Sequence, residues 1–147
     1  MSPTREQSGF TLIEVMVVLV IIGIASAAIG LSSRPDPARL LREDAQRLAL
    51  QLPLAQAEAR LRGTPIRWQP DRRGYRFVVA GSGEVLRGDT LLRPAEWRAG
   101  AVDVQVQPRR VVQLDAEWIA PALSIRLSDG QNSVMVEREA DGHVQVR

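Results

Sequence analysis

Apolar positions along the chain fall into three regimes. Val15 to Ser33 is a run of nineteen residues without a charge. As a helix at about 1.5 Å per residue it reaches about 28 Å, close to the thickness of a bilayer's hydrocarbon core. From Asp36 to about Arg62 the pattern is helical but one-sided: Leu41, Ala45, Leu48, Leu52, Ala55 and Ala59 recur at steps of four and three, while Arg39, Glu43, Arg47, Glu58 and Arg60 lie off that face. Asp36 supplies a capping carboxylate and Pro37 suits a first turn, whereas Gly63 and Pro65 mark the end. Pro53 is expected to kink or locally break this helix, and the pair Pro35 and Pro37 to loosen its join to the apolar run.

Beyond Gly63 the period changes to two. Strands are predicted at Ile66 to Gln69, Tyr75 to Val79, Val102 to Gln107, Val111 to Leu114, Leu123 to Leu127, Ser133 to Glu137 and His143 to Arg147. Val102 to Val106 alternates cleanly, as a sheet with one wet face requires. Asp71 to Gly74, Asp129-Gly130 and Asp141-Gly142 carry turn chemistry. Ala80 to Gly100 reads as a long irregular loop or short edge strands. The pattern therefore predicts an α+β head whose amphipathic helix packs on antiparallel sheet.

Composition narrows the function classes. The chain has 147 residues, about one domain plus some thirty more. The nineteen basic residues are all Arg against seventeen acids, and a net charge of +2 gives weak grounds for a nucleic-acid binder. There is no Cys and a single His, His143, so disulfide frames, thiol nucleophiles and thiolate metal sites are excluded, and a zinc or triad enzyme is not expected. Arg72-Arg73 and Arg109-Arg110 read as solvated charge at turns, and Asp129 and Asp141 as turn residues in preference to calcium ligands. Trp68, Tyr75, Phe77, Trp97 and Trp118 read as core or groove residues, and His143 as a surface one. No catalytic residue, metal ligand or cofactor site is expected.

One feature of the first regime does not fit a cleaved secretory signal, although Ala25-Ser26-Ala27 offers an A-x-A pattern. Arg5 is offset by Glu6 in the polar leader, and Glu14 sits within apolar surroundings, where a carboxylate costs on the order of 3 kcal/mol. A partner for Glu14 is the expectation.

Gly9-Phe10-Thr11-Leu12-Ile13-Glu14, between a short polar leader and an apolar helix, resembles the class III signal of type IV pilins and type II secretion pseudopilins. The resemblance implies cleavage after Gly9 by a prepilin peptidase, N-methylation of Phe10, and retention of the helix with Glu14 and Phe10 as assembly residues. It independently implies the pilin-like fold. The resulting expectation is a leader at 1–9, a transmembrane and filament-core helix at 10–33, and a periplasmic head at 34–147 with a helix at about 37–62 and a β-rich part at 64–147. Gly63 to Phe77 and Leu127 to Gly130 with Asp141 to Val144 look like the H-class minor pseudopilin of type II secretion. That likeness implies a structural, non-enzymatic subunit at or near the tip of a periplasmic pseudopilus that drives export of folded proteins. The implied partners are other major and minor pseudopilins, the prepilin peptidase, the inner-membrane assembly platform and the membrane through a single helix, without nucleic acid. The alternative is a type IV minor pilin binding DNA for uptake.

Overall fold

In the computed structural model, residues 11–32, 36–87, 91–115 and 122–147 are described, with side chains left out at 28–32. The chain divides into two compact units, Met1–Pro35 and Asp36–Arg147.

The first unit contains α1, Leu12–Ser32. Its first turn is entered from Thr11, whose carbonyl accepts the Glu14 N–H at 3.0 Å while its Oγ1 receives the same N–H at 3.4 Å. Among the described residues, no helix is long and apolar enough to cross a membrane. The described side chains of α1 end at Ala27, sixteen residues in, or about 24 Å of helix.

The second unit opens with α2, Pro37–Arg62. Asp36 caps it as its carboxylate accepts the Ala38 N–H at 3.0 Å, and Pro37 occupies the first turn, where no intrahelical donor is needed. Gly63 closes the helix at φ 61°, a left-handed conformation that glycine adopts without Cβ strain, and Thr64 N–H returns to the Ala59 carbonyl. Of the kink or break expected at Pro53, the break does not occur: the helix is continuous through that residue. Pro53 itself lies on the exposed side of the helix.

Two four-stranded antiparallel sheets follow. The first has the order β3-β2-β1-β5, from β1 (Ile66–Pro70), β2 (Gly74–Val79), β3 (Ala95–Glu96) and β5 (Val112–Leu114). The second has the order β4-β6-β7-β8, from β4 (Asp103–Gln107), β6 (Leu123–Ser128), β7 (Ser133–Arg138) and β8 (Val144–Val146). All seven predicted strands are present, with Val102, Val111, His143 and Arg147 just outside them. The stretch from Ala80 resolves into a single bridge, Val78 to Val85, and the two-residue edge strand β3.

Turns fix the registers. Asp71 accepts the N–H groups of Arg73 and Gly74 at 2.7 and 2.9 Å, which seats Pro70 opposite Tyr75. Asp129 accepts those of Gln131 and Asn132, at 2.9 and 2.6 Å, between β6 and β7. Asp141 accepts the His143 N–H at 2.9 Å before β8. These carboxylates do the turn work expected of them.

Leu41, Ala45, Leu48, Leu52, Ala55 and Ala59 are all buried, and α2 packs on β1 and β5 of one sheet and on β6, β7 and β8 of the other. Tyr75 is the hub of an aromatic cluster, with ring centroids 6.0 Å from Trp68, 6.1 Å from Phe77 and 4.6 Å from Trp97. Trp118 lies outside the described residues.

Candidate assembly site

Every described side chain of α1, from Leu12 to Ala27, is exposed. Leu12 is 79%, Ile13 70% and Ile24 68% accessible. A helix apolar on all sides belongs inside something, and among the described residues of its own unit nothing covers it. Glu14 stands in its first turn, where a carboxylate also suits the positive end of the helix dipole. Among the described residues its carboxylate has no partner. Gly9 and Phe10, the expected cleavage and methylation residues, lie outside the described residues, so their geometry toward Glu14 is not part of this site.

The second unit presents an apolar stripe of its own. Leu50, Leu54 and Leu61 project from the outer face of α2, and exposed Leu91 borders the same face. A hollow of about 500 Å³ between α2 and the 91–95 segment is lined by Leu50, Leu54 and Leu91 with Arg47 and Arg93 at its rim. Arg39 and Arg42 are exposed toward the N-terminal end of the helix.

A polar clamp behind this face was not foreseen from the sequence. Asp44 is wholly buried; its Oδ1 accepts from Arg47 Nη2 at 2.8 Å and its Oδ2 from the Ala99 N–H at 3.0 Å. Arg47 also donates to the Glu96 carbonyl at 2.7 Å and stacks over the Tyr75 ring at 5.7 Å. The Tyr75 hydroxyl donates to Gln51 Oε1 at 2.6 Å, and Gln51 Nε2 donates to the Leu91 carbonyl. Outside it, Glu43 bridges Arg39 and Arg98 at 3.0 and 2.8 Å. The clamp fastens 91–99, which has only two residues of strand, to α2 and so shapes the outer face. Burial raises the Asp44 carboxyl above its ordinary range, against the pull of the Ala99 N–H and the Arg47 charge. Burial likewise raises the Tyr75 phenol.

Spacing held a signal for this clamp. Asp44 follows Leu41 by three and Gln51 follows Leu48 by three, so both occupy inward positions of the same stripe. A polar residue at such a position requires a buried partner.

Arg72, Arg73, Arg109 and Arg110 are at turns or bends, and His143 is exposed. Among the described residues no cluster of His, Asp or Glu could hold a metal ion. The site is thus a set of surfaces, one helix bare on all sides and one helix bare on its outer face, suited to burial against other helices.

Those surfaces define a class of helix-displaying subunits, and comparison with known proteins specifies it. Residues 4–30 match the prokaryotic N-terminal methylation motif. Residues 44–142 match the family of the type II transport protein GspH, and the chain belongs to that family. A stretch of 38 residues is 58% identical to the type II secretion system core protein G of Pseudomonas aeruginosa, covering 24% of this chain and 27% of that protein's length. No solved structure matches. The α+β fold, an N-terminal helical part and helix-on-antiparallel-sheet packing, is pilin-like as expected.

Proposed function

We propose that the chain is a minor pseudopilin of the type II protein secretion system, a structural subunit without catalytic chemistry, assembled at or near the tip of the periplasmic pseudopilus. The observation that carries this reading is α1: an apolar helix exposed all round, holding Glu14, within a match to the N-terminal methylation motif and in a chain whose head belongs to the GspH family.

Its mechanism is assembly. A prepilin peptidase cuts after Gly9 and the new Phe10 amine is methylated. The apolar segment at 10–33 anchors the protein in the inner membrane, with the head in the periplasm, until the assembly platform draws the subunit into the filament. There α1 packs beside the helices of other pseudopilins, and Glu14 receives the charged amine of a neighbour. In the head, the stripe of Leu50, Leu54 and Leu61 offers an apolar surface of its own to a neighbouring subunit.

Mass spectrometry of the mature chain tests this. A first residue of methylated Phe10 is expected, whereas a chain starting at Ala28 marks a secreted protein and ends the pseudopilin reading.

A further inference from the structure

The open edges of the two sheets meet at one corner. β4 pairs only with β6 and β5 only with β1, and the two strands are joined by residues 108–111 alone. Each therefore keeps one row of main-chain N–H and C=O groups without a strand partner among the described residues.

Two adjoining hollows, of about 350 and 420 Å³, open at this corner and share Val106 and Arg110. Arg67 borders one and Arg109 the other, and neither lining contains an acid. Asp115, which lines a neighbouring hollow together with Arg110, accepts from Gln113 Nε2 at 3.0 Å, and Asp103 accepts from Gln105 Nε2 at 3.3 Å. Arg67 is held by its Nε, which donates to Gln113 Oε1 at 3.3 Å, so its terminal nitrogens remain available. Val111, 64% accessible, gives the cleft an apolar lip.

Trp68, 2% exposed, closes the inner wall of the same cleft.

We propose that this corner is a binding site for an extended acidic segment of another protein, which adds as a strand to an open edge. Period-two alternation lets such a segment turn carboxylates toward Arg67 and Arg110 and apolar side chains toward Val106 and Val111. A second copy of this chain is disfavoured, because it brings Arg109 and Arg110 against their own kind. Single-stranded nucleic acid would meet the charge but finds no exposed aromatic among the described residues on which to stack, and it has no amides for a strand edge.

The probe is a fluorescent, acetylated ten-residue peptide of alternating Val and Glu, titrated by anisotropy against the full chain in detergent micelles. Saturable binding is expected, weakened about tenfold by Arg110→Gln and by Arg67→Gln, each an exposed side chain whose loss spares the core. A peptide N-methylated at alternate residues cannot pair as a strand and should bind at least about tenfold more weakly. Equal binding of the methylated peptide, tighter binding of a ten-residue oligothymidylate, or no binding of the Val-Glu peptide at millimolar protein overturns the proposal. None of these results bears on the filament reading, which rests on α1.

Discussion

Asp44 places a carboxylate where the helix stripe otherwise holds Leu and Ala, and its two partners come from different elements, Arg47 on α2 and the Ala99 amide across the fold. Asp44→Ala leaves that amide unpaired and a one-third exposed Arg47 without its anion. A loss of about 2–3 kcal/mol is expected, read as a fall in denaturant midpoint at unchanged slope. Acid dependence comes from other carboxylates. Main-chain N–H bonds from Arg73 and Gly74 hold Asp71 below its ordinary value of 3.8, and bonds from Asn132 and Gln131 do so for Asp129. A depressed carboxyl contributes stability above 3.8 that is lost as pH falls through the folded value. Asp44, raised, has the opposite sign: its contribution is largest below 3.8 and shrinks as pH rises. Asp71→Asn and Asp129→Asn, which keep an acceptor without the charge, should therefore flatten the loss of Tm below about pH 4. An unchanged acid limb in both variants would assign that limb to other groups.

Elements were legible in the sequence to the extent that one rule governed them. α2 combines a capping Asp36, a periodic face and a terminating Gly63, and its bounds follow from those three signals. Strands β1, β2, β6, β7 and β8 were legible because Asp-Gly or Asp-to-Gly turns separate them, at Asp71 to Gly74, Asp129-Gly130 and Asp141-Gly142. Pro53 misled, since local sterics forecast a break while the buried residues on both sides of it, Leu52 and Ala55, hold the helix to the sheets. The clamp was missed because its partners, Glu96, Ala99 and Leu91, come from a stretch without periodicity whose position depends on tertiary packing. For α1 the informative residue was a single misfit, Glu14. Glu14→Val removes the charge and leaves an apolar helix, so insertion and cleavage after Gly9 should persist while recovery of the subunit in sheared filaments falls several-fold. Normal filament incorporation of that variant would remove Glu14 from the assembly mechanism.

At the scale of the molecule, the buried hydrophobic cluster of the second unit runs, among the described residues, from Leu41 to Val136, with Val144 and Val146 packed against it. A chain of residues 36–147 should therefore fold alone, with a cooperative thermal transition and dispersed amide resonances. A broad transition with bound hydrophobic dye would show that the N-terminal part is needed for the fold.

Gly74 begins β2 beside β3, and a Cβ at that position would collide with the Ala95 carbonyl and press on the Glu96 Cα at 3.0 Å. The displaced backbone is the segment that Arg47 and Asp44 fasten to α2, so one added methyl group strains both attachments at once. Gly74→Ala should behave as a conditional allele: secretion supported in cool culture and lost on a shift to warmth, with the subunit disappearing by proteolysis before any secreted substrate accumulates.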